Sequence, residues 1–106
     1  PKVNSNVSLV KGWFNATIPN YIEENNLVDL RLIHIDSDTY EAAEAVFDEL
    51  GKHLKPGMFV LFDELLGYPN WQNGEYKALN EAQNKYGFNF QYRAFSNEQA
   101  LIEITL

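Results

Sequence analysis

The chain has 106 residues, of which 45% are apolar and 14% aromatic, so it has room for one packed domain but not for two. Eight basic residues against fifteen acidic ones give a net charge of −7, which argues against electrostatic binding to nucleic acid or to an anionic membrane surface. Cysteine is absent, which excludes disulfides and thiolate chemistry, and without a signal-like or membrane-length apolar stretch we expect a cytoplasmic protein.

In chain order, the first predicted elements are a strand and a helix. Residues 7–10 have the pattern of a short strand, which Gly12 ends. Thr17 is a suitable helix cap and Pro19 suits a first helical turn, so we expect a helix that runs to about Asn25.

The middle of the chain predicts a strand, a helix and another strand. Apolar residues dominate 30–35, and Asp38 with Glu41 has the spacing of a capping box. One face of the helix that follows is apolar and is formed by Tyr40, Ala43, Phe47, Leu50 and Leu54. The segment 55–57, Lys-Pro-Gly, ends this helix, and residues 58–62 form the next apolar strand.

The last part of the chain predicts a loop over 65–73 and then a helix over 75–86 that a glycine ends. Residues 88–95 and 100–104 alternate between apolar and polar on either side of a turn, which indicates an antiparallel hairpin. Strands and helices alternate without a linker or a repeat. The pattern therefore indicates one α/β domain over residues 1–106, with a mostly parallel sheet that ends in the hairpin.

Carboxylates follow two of the predicted strands at the point where each strand ends. Asp36 and Asp38 follow the strand at 30–35, and Asp63 and Glu64 end the strand at 58–62. Ligands of open α/β sheets bind outside the carboxyl ends of the strands, so the four carboxylates are expected to share one crevice. Such a cluster repels itself unless a cation is present, which predicts a divalent metal. The alternative is that Asp38 caps a helix and that the acidic pair is a solvated strand end.

Three segments carry a resemblance to a known family, and they occur in this order along the chain: LVKGWFNATIP, HIDSDTYEA and PGMFVLFDE. Together they resemble the carboxyl-terminal part of class I S-adenosylmethionine-dependent methyltransferases, in particular the macrocin- and novobiocin-type O-methyltransferases. The resemblance implies a truncated, Rossmann-like three-layer fold. It also implies methyl transfer to a small-molecule hydroxyl, with S-adenosylmethionine as cofactor and Mg²⁺ or a similar divalent cation.

Residue by residue, the resemblance implies that Asp36, Asp63 and Glu64 are metal ligands and that Asp36 is also the general base. Glu64 departs from the family pattern, in which this position is usually Asp or Asn. The resemblance further places the cofactor against four residues, namely Gly12, Trp13, Phe14 and Ser37. Aromatic residues that follow a strand are also common in protein cores, so packing is the alternative for the tryptophan and the phenylalanine.

Five further aromatic or imidazole side chains have both functional and structural interpretations. We expect His34 to be a core residue or a partner of a metal ligand, and His53 to complement a helix dipole. Tyr68, Trp71 and Tyr76 lie where relatives bind the acceptor, although ordinary packing explains them equally well.

The glycine-rich turn and the acidic strand end that hold the cofactor in this class are missing from the sequence. The resemblance therefore predicts a partial domain that by itself binds S-adenosylmethionine weakly or not at all and does not turn over. Its first strand lacks its usual neighbour. Either this strand pairs directly with the strand at 30–35, or its exposed edge is covered by a second copy of the chain in a homodimer.

Two other functions are compatible with the sequence. Asp36 and Asp38 after an apolar strand resemble the opening motif of haloacid-dehalogenase-type phosphatases, with the first as nucleophile and the second as acid/base. The last alternative is a non-catalytic, metal-binding remnant of a methyltransferase.

Overall fold

The computed structural model describes residues 2–106, which form three α-helices, four strands and three short 3₁₀ turns. None of the helices in this range combines the length and the hydropathy needed to cross a membrane. In chain order the helices and strands are α1 (Phe14–Glu24), β1 (Leu32–Ile35), α2 (Tyr40–Leu50), β2 (Phe59–Phe62), α3 (Glu75–Tyr86), β3 (Asn89–Ser96) and β4 (Gln99–Thr105).

The four strands form one sheet in the order β1-β2-β4-β3. β1 and β2 are parallel, with Ile35 opposite Phe62, whereas β2 with β4 and β4 with β3 are antiparallel. The α/β class and the antiparallel hairpin are therefore confirmed. The sheet of the described residues is mixed rather than mostly parallel, because it contains only one parallel pairing.

The strand predicted at residues 7–10 does not form, which corrects the sequence analysis. This segment is exposed and pairs with no strand, with Leu9 60% and Val10 55% exposed. A strand needs a neighbour for its backbone hydrogen bonds, and no described strand offers one here. The helix that follows begins at Phe14 instead of near Thr17. The outer edge of β1 is unpaired within the described residues, and its coverage by a second copy stays a prediction.

One face of the sheet forms the core together with α2 and α3. Alternate residues of β2 and β4 are fully buried, among them Val60, Phe62 and Ile102, as expected for strands with one covered face. The helices contribute Phe47, whose ring centroid lies 6.1 Å from that of Phe62, and Leu79. This core fixes β1 and β2 side by side and so fixes the positions of the groups at their carboxyl ends.

Truncation of one core methyl group should have a small but measurable effect on stability. Ile102→Val removes a methylene from a site with no exposed surface, so we expect the free energy of unfolding to fall by about 1 kcal/mol. Val28→Ala, at a side chain that is 66% exposed, should change it by less than about 0.5 kcal/mol. Urea denaturation measures both. Equal effects of the two substitutions would contradict the position of the core.

Candidate active site

The acidic ends of β1 and β2 lie next to each other because of the parallel pairing. The backbone N–H of Asp63 donates to the carbonyl of Ile35 at 3.0 Å, which continues the ladder past the last paired residues. Asp36 and Asp63 are thereby neighbours at the same edge of the sheet. A hydrogen bond between their carboxyl groups and the charge of Asp63 raise the pKa of Asp36.

Asp38 does not cap α2, contrary to the capping-box prediction. The cap is Thr39, whose Oγ1 accepts a hydrogen bond from the backbone N–H of Ala42 at 3.2 Å. Asp38 itself adopts a left-handed conformation with φ of 63°, which aspartate tolerates better than most residues. This turn brings the Asp38 carboxylate to the strand ends, where its charge helps to raise the pKa of Glu64 after the larger effect of burial.

Two overlapping trios of metal-ligating side chains form at this edge of the sheet, each with one ligand atom per residue within 4.8 Å of the others. One consists of His34, Asp36 and Asp63, and the other of Asp38, Asp63 and Glu64. Asp63 is common to both. The predicted ligands Asp36, Asp63 and Glu64 thus lie together, but they do not form one trio. His34 is exposed, so it is not the core residue that the sequence suggested.

No described basic side chain forms an ion pair with these carboxylates. The two ion pairs among residues 2–106 join Lys85 to Asp48 and Arg93 to Glu103, both away from the strand ends. A divalent cation would balance the repulsion, and carboxylate oxygens are the ligands that Mg²⁺ prefers. The donor set therefore fits the metal that the family resemblance implies.

Asp63 has a hydrogen-bond partner that the sequence analysis missed. The side-chain amide of Gln99, at the start of β4, donates to Oδ1 of Asp63 at 2.8 Å. The turn before β4 also accepts hydrogen bonds, because the carbonyl of Glu98 receives the N–H of Leu65 at 2.8 Å. The hairpin thus orients a predicted metal ligand from 36 residues away in sequence.

Glu75, at the start of α3, is the second site residue that the sequence did not reveal. Only 2% of its surface is exposed, and it is the one buried charged residue among those described. Its Oε1 accepts the backbone N–H of Glu64 at 3.2 Å, and its Oε2 accepts the hydroxyl of Ser37 at 3.5 Å. Burial raises the pKa of Glu75 to about 7.

The buried carboxyl group should make the stability of the metal-free chain depend on pH. Because the folded pKa of Glu75 is about 7 and the ordinary value is 4.5, the folded chain retains a proton that the unfolded chain releases. The free energy of unfolding should therefore be highest below pH 4.5 and fall by up to ~3 kcal/mol as the pH rises past 7.

Urea denaturation at pH 5 and pH 8 in EDTA measures this loss. The raised pKa values of Asp36 and Glu64 act in the same direction, so Glu75→Gln should reduce the loss without abolishing it. A chain that becomes more stable between pH 5 and pH 8 would contradict the burial of a protonated Glu75.

The four residues assigned to the cofactor by resemblance line one cleft. It has a volume of about 850 Å³ and is lined by residues at the start of α1, by the turn after β1 and by α2 as far as Glu49. Gly12, Trp13, Phe14 and Ser37 line it together with Asp36. Trp13 is 84% exposed and is not a core residue.

The aromatic residues beyond the acidic pair pack against each other and against α3. The rings of Trp71 and Tyr76 meet edge to face with centroids 4.9 Å apart. Tyr68 lies so close to Gly74 that a Cβ at that position would overlap its hydroxyl. These contacts support the packing interpretation, and a role in acceptor binding stays a prediction. His53 lies in the 3₁₀ turn that directly follows α2 and is therefore near a helix end, as expected. Its interaction with the helix dipole stays a prediction.

Comparison with known proteins gives a family and solved relatives. The sequence profile of the family described as Macrocin-O-methyltransferase (TylF) matches residues 2–87. No protein of curated function matches the chain. The apo structure of CalS11, a TDP-rhamnose 3'-O-methyltransferase in calicheamicin biosynthesis, is 29% identical, with a TM-score of 0.69 over 89% of this chain and 40% of that one.

Two further structures show the same likeness. A second structure of CalS11, described as a calicheamicin methyltransferase, has a TM-score of 0.70 and is covered over 36% of its length. The O-methyltransferase NovP has a TM-score of 0.67 at 21% identity, over 90% of this chain and 36% of its own, which is a likeness in fold. The chain thus spans 36–40% of the length of these solved proteins.

Proposed function

This chain belongs to the macrocin-O-methyltransferase family, and we propose that it forms the metal and acceptor part of an S-adenosylmethionine-dependent O-methyltransferase that acts on a sugar hydroxyl. The observation that carries the proposal is the convergence of two acidic strand ends beside the cleft that Asp36 shares with Trp13 and Ser37. The family and the Rossmann-like fold agree with the resemblance found in the sequence.

The proposed metal site uses Asp36, Asp63 and Glu64, with Asp38 and His34 within reach. When bound, a divalent cation lowers the pKa of a coordinated hydroxyl and supplies positive charge that the described residues of the site lack. Gln99 holds Asp63 at 2.8 Å and thus fixes the ligand that both trios share.

Asp36 is the proposed general base. Its carboxylate is exposed at the strand end, so an acceptor hydroxyl can approach it directly. In the proposed reaction the hydroxyl proton passes to Asp36 while the oxygen attacks the methyl carbon of the donor. The bond from that carbon to the sulfonium sulfur breaks, its electron pair stays on sulfur, and S-adenosylhomocysteine leaves.

The composition of the cleft supports a cationic donor. Besides Asp36, its lining contains four acidic residues, and it contains no Lys or Arg; the four are Glu41, Glu44, Asp48 and Glu49. The methionine part of S-adenosylmethionine carries a sulfonium, an ammonium and a carboxylate group. Its net charge is therefore positive, and the acidic wall attracts it. The exposed ring of Trp13 offers a surface for the adenine base.

A sugar hydroxyl is the proposed acceptor because of the relationship to CalS11. That enzyme is described as acting at the 3' position of TDP-rhamnose, and the match covers 89% of this chain. The phosphatase alternative is not favoured, since the family match and the described relatives are methyltransferases. The non-catalytic remnant differs from the proposal only in activity.

A chimera of CalS11 tests the proposal without assuming how the natural chain begins. Residues 2–106 would replace the part of CalS11 on which they superpose, and transfer of a labelled methyl group to TDP-rhamnose would be measured. Transfer that stops in EDTA and returns with Mg²⁺ supports the proposal. A folded chimera that binds donor and metal but transfers no methyl group would favour the non-catalytic remnant.

A further inference from the structure

We infer that Glu75 is a positioning residue that ties the carboxyl ends of β1 and β2 together behind the metal site. The inference rests on the proposed function, because the groups that it positions are the proposed ligands. Its two oxygens contact one residue from each strand end: Ser37 after β1 and Glu64 after β2. Neither contact is an ion pair, because one donor is a hydroxyl group and the other is a backbone N–H.

Its geometry distinguishes Glu75 from the ligands in front of it. Only 2% of its surface is exposed, and it belongs to neither of the two trios of ligating side chains among the described residues. Oε1 is occupied by the N–H of Glu64 at 3.2 Å and Oε2 by the hydroxyl of Ser37 at 3.5 Å. Its carboxyl group therefore bonds to the backbone at one acidic strand end and to a side chain at the other.

The position of Glu75 is itself fixed by close packing. It is the first residue of α3, and Gly74 before it leaves room for the hydroxyl of Tyr68, which a Cβ would overlap. Leu79, one turn later on the same helix, is fully buried in the core. The start of α3 thus presents one carboxyl group to both strand ends, and we infer that the separation between these acidic strand ends depends on it.

Metal affinity in a set of variants tests the inference. Groups that hold metal ligands in place commonly change affinity by 10–100-fold when removed, so Glu75→Leu should weaken Mn²⁺ binding about tenfold or more. Glu75→Gln keeps an acceptor for the Glu64 amide and a polar partner for Ser37, so its affinity should stay within about threefold. Ser37→Ala should weaken binding by a few-fold and have no further effect in the Glu75→Leu background.

Binding would be measured by the electron paramagnetic resonance signal of free Mn²⁺, with folding checked by circular dichroism. Glu81→Leu is the matched control, because Glu81 lies on the same helix and bonds to Tyr40 but does not reach the strand ends. If Glu75→Leu does not fold, Glu75→Gln and Ser37→Ala still decide: a tenfold loss in the first, or no loss in the second, overturns the inference.

The same measurement separates this inference from the proposed function. Unchanged Mn²⁺ affinity in a folded Glu75→Leu variant overturns the role of Glu75 and leaves the metal site intact. Absence of Mn²⁺ binding to the unsubstituted chain overturns the metal site, and with it the positioning role.

Discussion

Replacement of Asp63 by asparagine should lower the affinity of the chain for Mg²⁺ or Mn²⁺ by about 100-fold or more, the largest effect expected at any single position. Asp63 belongs to both trios and is the ligand that Gln99 orients, so no alternative arrangement of the cluster avoids it. Asp36→Asn should also weaken binding, but less, because Asp38 and Glu64 remain next to Asp63. Calorimetric titration measures both.

A matched control is available at the other end of β1. Asp29→Asn makes the same chemical change at an exposed aspartate before the strand and should leave the affinity unchanged. All three variants should fold, since none of the side chains belongs to the core. Equal binding by the Asp63→Asn and Asp36→Asn variants and the unsubstituted chain would remove the proposed site.

In the CalS11 chimera, Asp36→Asn should lower kcat by about 10²–10⁴-fold, the effect typical of a lost general base. Asparagine keeps the size of the side chain but cannot accept the hydroxyl proton.

The 106 residues alone should bind S-adenosylmethionine weakly and not turn over, because their six glycines are spread along the chain and do not form a glycine-rich turn. Near-attack placement of the donor supplies much of the rate, and we propose that these residues form only part of the donor site.

Steady-state kinetics with excess Mg²⁺ separates the loss of a base from the loss of metal. A fall in kcat that Mg²⁺ fully restores would show that Asp36 acts only as a ligand, contrary to the proposed role. Tight binding of labelled S-adenosylmethionine by the short chain would show that its donor site is more complete than we propose. Asp29→Asn in the chimera should retain full activity.

The long periodic segments were predictable from the sequence because their signals are local. α3 spans Glu75–Tyr86 as predicted, and Gly87 ends it with a φ of 73°, a conformation that favours glycine. The hairpin of β3 and β4 follows from alternation and a short turn. The acidic ends of β1 and β2 were found for the same reason, since an apolar run followed by carboxylates can be read directly from the order of residues in the sequence.

The errors arose where tertiary partners decide the structure. Residues 7–10 have a strand-like pattern, but a strand forms only where a neighbouring strand completes its hydrogen bonds. The spacing to Glu41 predicted Asp38 as the cap of α2, whereas the structure has its neighbour Thr39 in that role. The backbone turn at Asp38 left its carboxylate within reach of the proposed metal site, which the spacing of a capping box could not reveal.

The sequence by itself determined the α/β class, the family and the acidic strand ends, because each depends on residues that are neighbours along the chain or in a motif. Only the tertiary structure assigned Gln99 and Glu75 to the site. Gln99 reaches Asp63 across 36 positions and Glu75 reaches Ser37 across 38. A hydrogen bond over that distance depends on sheet order and helix packing, for which the local sequence carries no signal.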